Sequence, residues 1–468
     1  MTLRPIFAAL LLAGTLQAAP NFAMMGFATV DGGTTGGAGG AVVTPTTLAE
    51  LKRYAEDKTT PYVIRITKEF NTGVAVRIDA SGAINSAGAI STTYGDIIRL
   101  GSNKTLVGIG SAAFFNRIGI IIQSQSNIII RNIKFTMKHV PISRTDENKI
   151  VGWVNGAPAV LTDPDCIGIQ ADDETIPAAQ RIVRHIWIDH CEFFNEDPSV
   201  MTDVDRYDGL VDGKNNSSNI TISWCYFHDH HKASLFGKGD SDNFDRRITY
   251  SHNHFRNILS RLPLIRYGKV HMLNNLMVTS ENGTNARINS DVYIEANHYE
   301  ASKKPVFGKV SENGAATLVN NKWVDCDRVP QIVLSAAPGA SALSASEEIL
   351  AGTFRPSTFY NYTAFLDAVA DVPSVVAANA GVGKISTAEY DAPTSVSRAA
   401  GTTAFATLRE GALVVNAPVG SPVELLGTDG SVLHRSYASS TAHRIDLPAR
   451  SGIVLVRTLR GTQRLLVP

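Results

Sequence analysis

Asp163 and Asp165 lie two residues apart, so in an extended segment both carboxylates face the same way. Asp208 and Asp212 are four apart and again share a face. A fully extended chain would hold that second pair roughly 13 Å apart, too far to share an ion whose oxygen ligands lie at about 2.3–2.6 Å. Joint binding therefore needs a bend near Gly209, and stacked chain segments that bring the two pairs together. An all-oxygen set favours calcium over zinc or copper. Spacing alone leaves the bland alternative open, since loop aspartates are usually just solvated.

A basic group follows. Lys232 ends the run ISWCYFHDHHK, and Arg261 and Arg266 flank Pro263 in SRLPLIRYG. Proline fixes part of the backbone between the arginines. Arginine presents a planar fork to carboxylates, lysine a compact charge. Three cations near four carboxylates suit a polyanionic substrate, although on spacing alone plain salt bridging is the simpler account. The histidines His228, His230, His231, His252 and His254 fit an alternating strand and its turn without any paired metal motif. Stacked or hydrogen-bonded structural roles are expected for them.

The elements that must position these groups form an internal repeat. The segments starting at Ile128, Ile186, Ile220, Ile248, Val270, Val292 and Ala316 carry small or branched apolar residues at positions one and three. Nearly all carry a large apolar or aromatic residue at position eight. Their starts are 58, 34, 28, 22, 22 and 24 residues apart. A unit near 22 residues is too short for a helical hairpin and suits a coil of stacked short strands. The 58-residue gap should hold an extra coil or a long excursion. Position six is Asn253, Asn275, Asn297 and Asn321 in four units, and Cys191 and Cys225 in two. Identical positions about 4.8 Å apart let inward asparagines hydrogen-bond along the axis. The two cysteines become neighbours, as a disulfide or as buried thiols.

Lys+Arg and Asp+Glu both total 43, which gives no global field for nucleic acid or a membrane surface. Arg4, the apolar run Ile6 to Leu12 and the small residues ending at Ala18–Ala19 read as a signal peptide over 1–19, too short to span a bilayer. Residues 26–40 are glycine-rich and predict a close-packed entry segment. Thr47 and Glu50 predict a capping box before the helix LAELKRYAE, with a strand over Tyr62 to Ile66. Helix and strand together would cap one end of the solenoid. The repeat domain is expected over 20–383, a linker over 384–403, and a small β-sandwich over 404–468 with a hairpin at Thr428-Asp429-Gly430.

The runs WIDHC (187–191), YDGLVD (207–212), ITISWCYFHDHHK (220–232), ITYSHNHF (248–255) and RLPLIRYGKVHMLNN (261–275) resemble the polysaccharide lyase family 1 pectate lyases. The likeness covers about residues 26–383. It implies an all-β fold, a right-handed parallel β-helix. It also implies a calcium-dependent lyase that cleaves polygalacturonate by β-elimination to 4,5-unsaturated oligogalacturonates. Asp163, Asp165, Asp208 and Asp212 would be calcium ligands, Asp208 standing where the family often has Glu. Arg261 would be the general base, with Lys232 and Arg266 on substrate carboxylates. Arginine is ordinarily protonated, so an alkaline optimum is expected.

The C-terminal pattern LLGTDGSVLHR…IDLPARSGIVLVRT resembles type IX secretion sorting domains, with a carbohydrate-binding or spacer sandwich as the alternative. An exported, extracellular monomer without stable membrane insertion is expected, from a Gram-negative source and in contact with secretion machinery. Two other functions compete, beside a polygalacturonase-type hydrolase, which would depend on paired carboxylates without the Arg261–Pro263–Arg266 element. A pectin lyase on methylated pectin shares the fold but needs no acidic cluster, and a non-catalytic glycan-binding β-helix has no reason to keep Arg261, Lys232 and four aspartates together.

Overall fold

The computed structural model describes residues 20–78, 84–85, 87–142, 146–162, 165–328, 330–333 and 348–387. In the C-terminal part it describes 406–409, 412–416, 419, 422–426, 432–446, 452–458 and 461–467. The expected signal peptide (1–19), most of the expected linker (388–403) and Asp163 lie outside these residues. The chain divides into two compact units, 1–392 and 393–468.

The first unit is a right-handed parallel β-helix. Among the described residues, twenty-five strands join in one hydrogen-bonded parallel sheet that coils into three ladders. One ladder runs through Lys104–Gly108, Ile128–Arg131, Ile186–Asp189, Ile220–Ser223 and Arg247–Ser251. A second runs through Lys134–Thr136, Glu192–Phe194, Tyr226–Lys232 and His254–Ser260. The third, which carries the acidic residues, runs through Asp96–Arg99, Ile118–Gln123, Ile167–Ala171, Val211–Asn215 and Ser234–Phe236.

The repeat is the register. Ile128 pairs with Ile186, Ile186 with Ile220, Ile220 with Ile248, Ile248 with Val270, Val270 with Val292, and Val292 with Ala316. Because Ile128 pairs directly with Ile186, the 58-residue gap holds an excursion and not an extra coil. Its strands Ile150–Val154 and Ala157–Leu161 form a hairpin beside Ile90–Tyr94.

Side chains stack in columns inside the coil. Asn253 Nδ2 donates to Asn275 Oδ1 (3.0 Å), Asn275 to Asn297 (2.8 Å) and Asn297 to Asn321 (3.2 Å). Phe135, Phe193, Phe227 and Phe255 stack with centroids 4.8–5.1 Å apart. Cys191 and Cys225 are buried free thiols. The residue at position five of each unit turns the chain between ladders in the left-handed region: Asn132, His190, Trp224, His252, Asn274, Ala296 and Asn320, with φ between 48 and 58°.

At one end, Leu48–Ala55 is a helix with the expected Thr47/Glu50 capping box, and Leu51 and Ala55 join the core. The glycine-rich entry packs outside the first ladder. A Cβ on Gly37 would sit 1.9 Å from the Tyr62 carbonyl oxygen. No helix among the described residues is long and apolar enough to cross a membrane.

The second unit has a three-stranded and a four-stranded antiparallel sheet. Leu413, Val415, Val423, Leu425, Ile445 and Val456 close into one core across both. Pro422–Leu426 and Val432–Tyr437 pair antiparallel, the expected turn at Thr428-Asp429-Gly430 lies outside the described residues, and Gly461–Val467 pairs with Gly452–Thr458.

Candidate active site

Coil stacking sets the acidic and basic groups side by side. Asp165 directly precedes Ile167–Ala171, whose Ile167 pairs with Val211, so Asp165 lies level with Gly209. Val211–Asn215 carries Asp212, and its Val211 pairs with Ser234, two residues past Lys232. Lys232 pairs in turn with Ser260, the neighbour of Arg261. Successive coils therefore present Asp165, then Asp208 and Asp212, then Lys232, then Arg261.

The bend expected near Gly209 has a defined purpose. Its N–H donates to Asp165 Oδ1 at 2.8 Å, and a Cβ there would fall 2.1 Å from Asp212 Oδ1. Only glycine lets the backbone run so close to the Asp212 carboxylate. One oxygen each of Asp165, Asp208 and Asp212 lie within 4.8 Å of one another, the one such group of potential metal-ligating side chains among the described residues. Asp212 is fully buried. Its Oδ1 accepts from the Leu235 N–H at 2.9 Å, while its Oδ2 is buried without a hydrogen-bond partner.

Electrostatics follows from that crowding. Burial, then the charges of Asp165 and Asp208, push the Asp212 carboxyl well above the usual range. Burial likewise pushes Asp165 up to about 6, against the pull of Lys214. Burial acts to raise Asp208 too, but Lys214, Lys232 and Arg261 outweigh it and hold this carboxyl low. Three carboxylates that cannot comfortably ionise together, one with an orphaned oxygen, fit a hard divalent cation.

The cations ring the cluster. Lys232, 6% exposed, has its Nζ 3.3 Å from Asp205 Oδ1 and 3.4 Å from Asp208 Oδ1. Arg261 Nη1 is 3.9 Å from both Asp208 Oδ1 and Asp212 Oδ2. Arg261 occupies the left-handed region (φ 64°), and its carbonyl accepts from the Ser234 N–H. Arg266 stands apart from the trio. It donates to the Gly237 carbonyl at 2.8 Å and lies 3.8 Å from Asp240.

Three further residues belong to the site without having been singled out by sequence. Lys214 Nζ lies 3.7 Å from Asp165 Oδ2, and the Asp165 charge raises the Lys214 ammonium pKa. The period-two alternation D212-x-K214 was the signal for it. Asp205 joins Lys232 to His231. Buried His230 donates from Nε2 to the Asp208 carbonyl at 2.7 Å, and burial lowers its pKa to about 3, so it is a neutral backbone prop. The other histidines stack as expected, His228 on Phe194 and His252 on Trp224.

A cleft of about 550 Å³ opens from Asp165, Asp208 and Lys214 across the third ladder, walled by residues of the excursion.

The family model described as "Pectate lyase" matches residues 1–385. The chain is 33% identical over 374 residues to a pectate trisaccharide-lyase of Bacillus licheniformis, covering 80% of this chain and 90% of that protein. It is 29% identical over 288 residues to the probable pectate lyase A of Aspergillus flavus, covering 60% and 78%. Among solved structures, a pectate lyase from Bacillus sp. N165 in complex with trigalacturonate superimposes with TM-score 0.54 at 26% identity, covering 77% of this chain and 99% of that one. Pectate lyase C from Erwinia chrysanthemi with Ca2+ gives TM-score 0.54 at 23% identity over 78% and 97%, a likeness of fold alone.

Proposed function

The chain belongs to the pectate lyase family and is a polysaccharide lyase, and on that footing we propose that it cleaves α-1,4-linked polygalacturonate by calcium-dependent β-elimination. The observation that carries the proposal is the meeting of Asp165, Asp208 and Asp212 beside Lys232 and Arg261. Asp165, Asp208 and Asp212 would hold the calcium, with Asp163 as a fourth ligand. Calcium bound there supplies positive charge beside the carboxylate of the reacting sugar.

Lys232 is held nearly buried between Asp205 and Asp208, so its ammonium is aimed before substrate arrives. Bound to the same carboxylate, it withdraws charge and stabilises the carbanion that forms at C5. Arg261, in its neutral guanidine form, takes the C5 proton and becomes guanidinium. The C5 electron pair becomes the C4–C5 double bond as the C4–oxygen bond breaks, and solvent protonates the departing oxygen. Arg266, on the same coil as Arg261, would hold the carboxylate of a neighbouring sugar.

Polygalacturonate with calcium should yield an unsaturated product that absorbs in the ultraviolet, and EDTA should abolish it. Reducing ends without that chromophore would mean hydrolysis and defeat the proposal. Export is supported by the apolar run Ile6 to Leu12 before Ala18–Ala19. For the C-terminal sandwich we propose a role in sorting during secretion, supported by its compactness as a separate unit. Deleting 404–468 should then leave the lyase inside the cell envelope, whereas unchanged release into the medium would refute that role.

A further inference from the structure

Arg246 carries a guanidinium shut away from water, and the chemistry above does not use it. It stands at the junction of three chain segments. Its Nη2 donates to the Asn215 carbonyl at 3.0 Å and pairs with Asp242 Oδ1. Its Nη1 donates to the carbonyls of Asp242 (2.9 Å), Phe244 (3.3 Å) and Arg266 (3.0 Å). The other Asp242 oxygen accepts from the N–H groups of Asn215 (3.0 Å) and Lys238 (2.9 Å). The buried pair thus fastens the end of Val211–Asn215, the strand of Asp212 and Lys214, to the loop 237–246 and to the backbone of Arg266.

The same loop grips the Arg266 side chain from its other end. Arg266 Nη1 donates to the Gly237 carbonyl at 2.8 Å, and the neighbouring Tyr267 hydroxyl donates to the Asp240 carbonyl at 2.6 Å. Two glycines with positive φ make the fit possible. A Cβ on Gly237 would fall 2.8 Å from the Arg266 carbonyl oxygen, and one on Gly268 would fall 2.5 Å from that of Arg246. A planar fork holds two carbonyls at a fixed separation, whereas an ammonium on a flexible stem does not. We propose that Arg246, locked by Asp242, is a positioning residue for substrate binding. It fixes Arg266 relative to the strand of Asp212 and Lys214, and so sets where the carboxylate of the neighbouring sugar lies. This deepens the binding role given to Arg266 above and rests on it.

The test measures kcat and KM on polygalacturonate at saturating calcium for the wild type, Arg246→Lys, Arg266→Ala and the double variant, with a melting curve for each. Arg246→Lys keeps the charge beside Asp242 but cannot span the Asn215 and Arg266 carbonyls. It should raise KM about tenfold, with kcat within a few-fold of wild type, the mark of lost uniform binding. Arg266→Ala keeps the carbonyl that Arg246 holds, so any contribution of Arg246 to the fold is the same in both backgrounds. In that background Arg246→Lys should change KM by less than about twofold, because its effect passes through the Arg266 side chain. A lower melting temperature with KM unmoved, or the same rise in KM in both backgrounds, overturns the proposal. Should Arg246→Lys fail to fold, Asp242→Asn takes its place, and failure of both to fold overturns it as well. An unchanged KM in Arg266→Ala would instead remove the binding role of Arg266 and this proposal with it, and no unsaturated product from the wild type would defeat the lyase reading beneath both.

Discussion

Lys232 Nζ lies 3.4 Å from Asp208 Oδ1, the lysine ending the strand Tyr226–Lys232 and the aspartate standing beside Gly209 on the preceding coil. Asp208 thus serves two partners, the proposed calcium site on one side and Lys232 on the other. Asp208→Asn would leave Lys232 with Asp205 alone. A loss of about a hundredfold in kcat/KM is expected, partly recovered at high calcium. Asp208→Glu keeps the carboxylate and should stay within a few-fold of wild type. Calcium titrations of the initial rate check both.

The orphaned oxygen of Asp212 makes a prediction about stability. Without calcium, its burial beside two other carboxylates is destabilising. Asp212→Asn should raise the melting temperature of the metal-free protein while removing its response to calcium. Wild type at calcium a hundredfold above its dissociation constant should gain about 2.7 kcal/mol. An equal calcium shift in Asp212→Asn would remove this residue from the site.

Acid sensitivity should come from buried histidine. His271 is fully buried, with Nδ1 sharing a hydrogen bond with the Tyr360 hydroxyl and Glu295 3.9 Å from Nε2. Burial lowers its pKa to about 3, and lowers that of His254 to about 4, against about 6.5 in an unfolded chain. The unfolded state then binds more protons between these values. The stabilising contribution is complete above pH 6.5 and is lost progressively as pH falls toward the folded pKa. Denaturant titrations over that window should show a shallower slope in His271→Gln, by up to about 1.4 kcal/mol per pH unit.

The asparagine column carries stability of its own. Asn275 Oδ1 accepts from both the N–H and Nδ2 of Asn253, and its Nδ2 donates to the Tyr250 carbonyl. Asn275→Ala leaves those groups buried and unpaired, and a loss of at least about 2 kcal/mol is expected in equilibrium unfolding. Asn275 touches none of the active-site groups, so kcat should not change.

Much of this architecture was legible because the repeat and the register are the same thing. Apolar residues at positions one and three, and Asn at position six, can only be satisfied by stacking, so the seven starting residues pair as aligned. The left-handed residue at position five was not legible. Asparagine suits that conformation, but Trp224 and Ala296 do not advertise it, and only the ladder around them enforces it. At the site, aspartate spacing called for a bend at Gly209, yet could not show that Asp212 would be buried with one oxygen lacking a hydrogen-bond donor. Lys214 sits in the alternation, but its partner Asp165 lies 49 residues earlier on a neighbouring coil, beyond the reach of any local pattern. Asp205 and His230 act through the folded loop, and no local pattern points to them. The choice between a disulfide and two thiols at Cys191 and Cys225 likewise needed the coordinates.

The role of Arg261 is the claim on which the chemistry turns, and Arg261→Lys tests it most directly. The substitution keeps a positive charge on the side chain that now places Nη1 3.9 Å from Asp208 and Asp212, but loses the guanidine. Ultraviolet product formation from polygalacturonate at saturating calcium should fall at least about a hundredfold in kcat, with calcium affinity by calorimetry unchanged. Turnover within a few-fold of wild type would contradict the assignment of Arg261 as the base.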